Sequence, residues 1–259
     1  MASSDPAERV AHVLDYGAGN VASIRNAIHA VGWRTVDVTA PAELAAARVL
    51  VFPGVGAFGS AMAFLNQRGF AQPLREHIAA GRPYLGICLG MQTLFDSSEE
   101  CPGEAGLGVI PGPVRRFASS PDYAVPHIGW NGVRLHQAAP ALAHLCGAAP
   151  DGSADGKVYF VHSYRAAPSA ANAAWVAATT DYGDGPFISA VQRGSVFATQ
   201  FHPEKSGAAG LDIFRRFLEH AAGAGAGGAA AAAAARVEPV PLGAVPPAVR
   251  TRLARRIVA

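Results

Sequence analysis

Gly86-Ile87-Cys88-Leu89-Gly90 is the segment whose residue types most directly offer covalent chemistry. A thiol between small residues, after an apolar run at 84–87 and before the helical-looking Met91-Gln92-Thr93-Leu94-Phe95, has the layout of a nucleophile elbow. The flanking glycines have a steric reason, because a sharp turn crowds its neighbours and side chains there would block approach to the sulfur. At a helix start, free N–H groups and the positive end of the peptide dipoles favour thiolate over thiol. The Leu89 N–H can then donate to a developing oxyanion. The plain alternative is a buried core cysteine, the usual fate of a lone Cys on an apolar strand, and the five residues by themselves leave both readings open.

A second segment, Thr199-Gln200-Phe201-His202-Pro203-Glu204-Lys205, ends a predicted strand with a His and a Glu two residues apart. On extended chain these positions project to the same side. Glu204 can therefore hold the His202 ring and fix its tautomer while the other ring nitrogen meets the Cys88 sulfur, the nucleophile, base and orienter logic of acyl transfer. Taken singly, His202 reads as a surface histidine beside a turn proline and Glu204 as a solvated charge; together with the elbow, that bland pair of readings becomes improbable. The glycine-rich turn Pro53-Gly54-Val55-Gly56-Ala57-Phe58 has backbone N–H groups free to complete an oxyanion hole. It matches neither G-x-G-x-x-G nor G-x-x-x-x-G-K-[ST], so a phosphate loop is not indicated. Asp15-Tyr16-Gly17-Ala18-Gly19-Asn20 reads only as a tight strand-to-helix turn, with no catalytic role.

The elements needed to position these residues are legible in the pattern. Apolar or β-branched runs at 10–14, 35–38, 49–52 and 84–87 alternate with helical stretches, including one at 21–31, which is the signature of a mostly parallel α/β sheet. From 114 to 200 the apolar runs (114–117, 157–161, 175–179, 188–193, 196–200) are closely spaced with Gly, Pro and Asp between them, predicting a more antiparallel half, and a helix at 211–220 closes the domain. The expected organisation is an N-terminal tail at 1–10, one domain at 11–220, a Gly/Ala/Pro-rich linker at 221–248 and a further segment at 249–259. With 259 residues, half of them apolar, one large core can be buried. A net charge of +2 and apolar stretches too short to span a bilayer imply neither nucleic acid nor a membrane as partner, and predict a soluble protein. Three scattered Cys without metal-ligand spacing argue for a reducing compartment; no metal and no cofactor is expected.

The motifs resemble those of the class I, triad-type glutamine amidotransferases, and within them the histidine-pathway branch, the glutaminase part of imidazole glycerol phosphate synthase. The elbow and Gln200-Phe201-His202-Pro203-Glu204-Lys205-Ser206 are shared by the whole class. Asp15-Tyr16-Gly17-Ala18-Gly19-Asn20-Val21, Pro126-His127-Ile128-Gly129-Trp130-Asn131 and Tyr159-Phe160-Val161-His162-Ser163-Tyr164-Arg165 point to the branch. The resemblance covers positions 12 to about 219 and implies a mostly parallel central sheet flanked by helices with an added antiparallel portion. It implies that Cys88, His202 and Glu204 hydrolyse L-glutamine to glutamate and ammonia through a glutamyl thioester. Val55 and Leu89 would supply oxyanion-hole N–H groups. Gly56, Gln92, Glu100, His162, Ser163 and Tyr164 would line the glutamine pocket, and Trp130, Tyr159 and Lys205 would face a cyclase subunit or fused cyclase domain.

Leu253-Ala254-Arg255-Arg256-Ile257-Val258-Ala259 resembles the opening of such a cyclase barrel, so a fused glutaminase–cyclase protein is expected; an ordinary basic C-terminal helix is the alternative. The implied location is the cytoplasm, or the plastid stroma for a plant-type form. Another amidotransferase of the same class, a non-catalytic subunit of the same fold and a Cys-His hydrolase acting on a peptide or ester are the competing functions.

Overall fold

The computed structural model describes residues 9–17, 20–145 and 156–226. In chain order, β1 (Val10–Leu14), α1 (Val21–Ala30), β2 (Arg34–Val38), β3 (Leu50–Phe52), α2 (Phe58–Gln67), α3 (Ala71–Ala79) and β4 (Tyr84–Ile87) form the alternating half. A single helical turn, α4 (Leu89–Gln92), then leads into β5 (Phe95–Ser98) and β6 (Ile110–Arg116). Next come β7 (His127–Asn131), β8 (Arg134–Leu135), β9 (Val158–His162), β10 (Tyr164–Ala166), β11 (Val176–Tyr182), β12 (Gly185–Arg193), β13 (Val196–Thr199) and the closing helix α5 (Gly207–Ala226).

The main sheet has the order β2-β1-β3-β4-β13-β12-β11-β8. It is parallel from β2 through β13 and antiparallel from β13 to β8. β3 and β4 are buried at every position, which explains their unbroken apolar runs: helices cover both faces of a parallel sheet. On one face Ile24 and Ile28 of α1 and Phe214, Phe217 and Leu218 of α5 pack with Phe160, Phe187 and Phe201. On the other, Phe58, Met62 and Leu65 of α2 pack with Leu14, Phe52, Phe70 and Met91.

Register decides where the chemistry lies. Phe52 pairs with Gly86, and Ile87 with Thr199, so β3, β4 and β13 end side by side. The turns that leave them carry Val55, Cys88 and His202. Ligand sites in open α/β sheets lie beyond the carboxyl ends of the strands for this reason.

Four features depart from the sequence pattern. The helical-looking stretch 91–95 is one turn only, because the carbonyls of Thr93 and Leu94 are taken by the N–H groups of Leu107, Val109 and Ile110 instead of continuing a helix. β5, β7, β8 and β10 had no predicted counterpart. The domain bound drawn at 11 shifts by one residue, since Val10, which opens the apolar run at 10–14, pairs with Arg34. α5 runs on to Ala226, past the expected linker start, while residues 1–8 and the rest of the linker and the 249–259 segment lie outside the described residues. No helix among the described residues is long and apolar enough to cross a membrane.

Candidate active site

Cys88 follows β4 with φ 53° and ψ −104°, and it is the one non-glycine with positive φ among the described residues. Strain of that kind persists only where the surroundings over-determine it. Here they do: the Cys88 N–H donates to Thr199 O at 2.7 Å, and the Tyr84 hydroxyl donates to Gly90 O at 2.7 Å. The glycines of the elbow are explained by backbone contact. A Cβ on Gly90 would sit 2.1 Å from Phe52 O, one on Gly86 2.7 Å from Gly90 O, and one on Gly54 2.4 Å from Gly90 N. The loop after β3 and the elbow after β4 are thus packed backbone to backbone, and no side chain fits between them.

His202 ends the extended segment after β13, and Glu204 sits in the 3-10 turn Pro203–Lys205. The turn, not strand alternation, brings the carboxylate back to the ring. Glu204 Oε1 lies 2.7 Å from His202 Nδ1, and both side chains are essentially inaccessible to solvent. A carboxylate only accepts, so Nδ1 carries the hydrogen and Nε2 is left for the sulfur. Nε2 is buried without a well-formed hydrogen bond. Burial by itself lowers the His202 pKa; the adjoining Cys88 charge and thiol contact, with the hydrogen bond and charge of Glu204, outweigh it and raise the pKa above the ordinary value. Cys88 and His202 are therefore electrostatically coupled.

A cavity of about 400 Å³ opens beside them. It is walled by Val55, Cys88, Leu89 and His202 together with all six residues assigned to glutamine by resemblance: Gly56, Gln92, Glu100, His162, Ser163 and Tyr164. Glu100 is fixed by the Phe58 N–H at 2.9 Å, and Gln92 Nε2 donates to Tyr164 O and Gln200 Oε1. His162 Nδ1 must donate to Tyr164 O at 2.9 Å, which leaves its Nε2 to accept from His127 Nδ1 at 3.3 Å. Burial lowers the pKa of His162 to about 3 and of His127 to about 4, so both rings are neutral at pH 7.

The two N–H groups expected to form the oxyanion hole have other partners. The Leu89 N–H points at Gly54 O, 3.4 Å away, and the Val55 N–H donates to the Tyr16 hydroxyl at 3.1 Å. Gly54 C=O and Val55 N–H belong to one peptide plane and point to opposite sides of it. Turning that single plane over would exchange the two groups, taking the carbonyl from the Leu89 N–H and putting the Val55 N–H on that side.

The residues expected at a partner face form one cluster outside this cavity. Trp130 is 53% exposed, its ring lies 6.0 Å from that of Tyr159, and Lys205 Nζ stands 5.8 Å over the Tyr159 ring. Tyr159 O accepts the His202 N–H at 2.9 Å, so the cluster is bonded directly to the backbone of the candidate base.

Sequence reasoning missed four residues. Asn20 Nδ2 donates to Glu204 Oε1 at 2.9 Å, Gln200 Nε2 approaches Cys88 Sγ at 3.5 Å, His127 supports His162, and Tyr16 holds Val55. Gln200 was open to detection, since the two-residue spacing that links His202 and Glu204 also includes position 200. Asn20 and Tyr16 offered no such signal. Among the described residues, no group of His, Cys, Asp and Glu could hold a metal ion.

The family described as glutamine amidotransferase class-I matches residues 12–221. Imidazole glycerol phosphate synthase hisHF, chloroplastic, of Arabidopsis thaliana is 50% identical over 216 residues, 83% of this chain and 35% of the relative. Imidazole glycerol phosphate synthase subunit HisH of a Synechococcus strain is 47% identical over 211 residues, 81% of this chain and 93% of that subunit. The chain thus spans about a third of the fused relative and nearly all of the separate subunit. A crystal structure of a glutamine amidotransferase, 22% identical, shares the fold with a TM-score of 0.59 over 82% of this chain and 98% of that one.

Proposed function

Because the chain belongs to the class I glutamine amidotransferase family, we propose that it is the glutaminase of an imidazole glycerol phosphate synthase, supplying ammonia in histidine biosynthesis. The observation that carries the reading is the continuous arrangement of Glu204, His202 and Cys88 at the wall of a cavity lined by the six candidate glutamine residues.

The Cys88 thiol gives its proton to His202 Nε2, the resulting thiolate attacks the side-chain amide carbon of glutamine, and the carbonyl electrons move onto oxygen, where Leu89 and Val55 N–H groups receive the charge. As the oxyanion collapses, His202 Nε2 delivers its proton to the amide nitrogen, the C–N bond breaks and ammonia leaves. His202 then takes a proton from water as its oxygen adds to the thioester, glutamate departs and the sulfur is restored. Glu204 holds the ring and balances the imidazolium, and Asn20 fixes Glu204.

Ammonia passes to a cyclase subunit or fused cyclase domain, docked at Trp130, Tyr159 and Lys205, for formation of imidazole glycerol phosphate and AICAR, a lyase reaction. The linker at 221–248 and the cyclase-like segment at 249–259 are part of this reading, which the hisHF relative favours in that this chain matches only 35% of it. The chloroplastic relative supports the plastid stroma, with the cytoplasm as the alternative. Ammonia released unlinked at neutral pH is protonated and lost as a nucleophile, so the glutaminase is slow until the ligand-bound cyclase favours the Val55 N–H facing the cavity.

The test supplies the cyclase with its ribonucleotide substrate and either glutamine plus this chain or an ammonium salt alone. Both conditions should support turnover, and Cys88→Ser should abolish only the first. A cyclase that still requires Cys88 with ammonium present contradicts the assignment.

A further inference from the structure

Tyr16 lies just after β1, on a turn whose aspartate, Asp15, accepts the Gly17 N–H at 2.8 Å and pairs with Arg25 at 3.0 Å. Its ring is seated edge-on against Phe52 at 5.6 Å and tilted against Phe64 at 5.8 Å, so the phenol is anchored to the strand from which the Pro53–Gly56 turn departs. Its hydroxyl meets Val55 twice: it accepts the Val55 N–H at 3.1 Å and donates to Val55 O at 2.8 Å. One hydroxyl proton and one lone pair suffice for this pattern, so the group is fully committed to a single residue of the oxyanion turn.

Resting on the glutaminase reading above, we infer that Tyr16 is a positioning residue: its hydroxyl latches the Val55 backbone with the N–H turned away from the cavity, and its release governs assembly of the oxyanion hole. Three observations converge on it. The Val55 N–H has the Tyr16 oxygen as its acceptor, so the donor must break that bond before it can face the cavity. The same peptide plane puts Gly54 O against the Leu89 N–H, so the latch withholds both donors at once. The plane turns about Gly54 ψ and Val55 φ, and Gly54 carries no Cβ to strike the elbow backbone, while Gly56 beyond it, at φ +103° with open space where a Cβ would be, lets the turn accommodate the change. Burial, with the nearby Cys88 and Asp15 charges, raises the phenol pKa despite the opposing Val55 hydrogen bond, so the proton donated to Val55 O stays in place at working pH.

Tyr16→Phe keeps the ring between Phe52 and Phe64 and deletes only the latch. The Val55 N–H bond is the one that the turning plane must break, and its loss from the turned-away state shifts the peptide equilibrium by up to about 10-fold. The experiment measures glutaminase kcat and KM of the full chain, wild type and Tyr16→Phe, alone and with cyclase carrying its ribonucleotide ligand. The expected result is a basal kcat up to about 10-fold higher in the variant, KM for glutamine unchanged, and equal activated rates, so that the degree of activation falls. A basal kcat at or below wild type in a variant that still reaches the wild-type activated rate overturns the latch and leaves the glutaminase reading intact. Absence of glutaminase activity from the wild type even with ligand-bound cyclase overturns both. Should Tyr16→Phe not fold, hydrogen exchange at the Val55 amide of the wild type decides: protection in the chain alone that is lost with ligand-bound cyclase supports the latch, and equal protection in both overturns it.

Discussion

Replacing Glu204 with Gln preserves the side-chain volume and one acceptor oxygen while removing the charge. Glu204 Oε1 serves two donors, His202 Nδ1 at 2.7 Å and Asn20 Nδ2 at 2.9 Å, and its side chain is fully buried. A glutamine carbonyl can keep both bonds, so the imidazole retains its orientation and loses the charge that supports the imidazolium. Hydrogen bonds to charged groups contribute about 1.5–3 kcal/mol against about 1 kcal/mol for neutral ones. The difference, about 0.5–2 kcal/mol, corresponds to a kcat about 2- to 30-fold lower. His202→Ala removes the proton carrier itself and should cost about 10²–10⁴-fold.

The assay is glutamate release at saturating glutamine with ligand-bound cyclase, followed across neutral and alkaline pH. Because the folded pKa of His202 is raised, the imidazolium is present at neutral pH and is lost as pH rises through that higher value. Removing the Glu204 charge should move the alkaline limb of the profile down by about one unit, the equivalent of 1.36 kcal/mol. Losses of equal size in Glu204→Gln and His202→Ala would mean that Glu204 does more than orient the ring. An unmoved limb with unchanged kcat would remove it from the mechanism.

Gly90→Ala places a Cβ 2.1 Å from Phe52 O, a backbone atom that cannot step aside, so the variant should lose about 3 kcal/mol of stability, read from the urea midpoint; a wild-type midpoint would contradict the packing account. The His127 and His162 pair is buried neutral, with folded pKa values of about 4 and about 3 against 6.5 unfolded. Lowered folded values mean that this stability is present above pH 6.5 and is lost as pH falls toward them. Between pH 7 and 4.5 each ring should cost about 2–3 kcal/mol. His127→Phe, which retains the stacking on Tyr182 and Phe160, should flatten that slope, and an identical slope would place the acid sensitivity elsewhere.

The frame of the molecule was legible wherever burial is two-sided. β1 and β4 emerge at their predicted limits because apolar runs of that length, bounded by turns, leave few alternatives. β5, with the sequence Phe95-Asp96-Ser97-Ser98, was invisible because its pairing with β6 depends on backbone bonds to a segment more than ten residues away. β7 was equally hidden, since Gly129 at φ +134° interrupts an alternation that only β9 completes. The contrast recurs in the site. Cys88, His202 and Glu204 declare themselves through residue type and local spacing. Asn20 and Tyr16 act on Glu204 and Val55 across 184 and 39 residues, and a turn that could be explained locally concealed both. Such contacts are set by how the loops after β1, β3 and β13 converge, which no local pattern encodes.

The central claim is that Cys88 carries the glutamyl group between two half-reactions. Acid quenching of the chain during turnover with glutamine and ligand-bound cyclase, followed by mass analysis of the peptide containing residue 88, tests it most directly. A glutamyl adduct on Cys88 of the wild-type chain that hydroxylamine removes, and that His202→Ala forms far more slowly because it lacks the proton for the leaving ammonia, is the predicted result. Glutamate release at the wild-type rate with no adduct at Cys88, or an adduct that persists in Cys88→Ser, would contradict it.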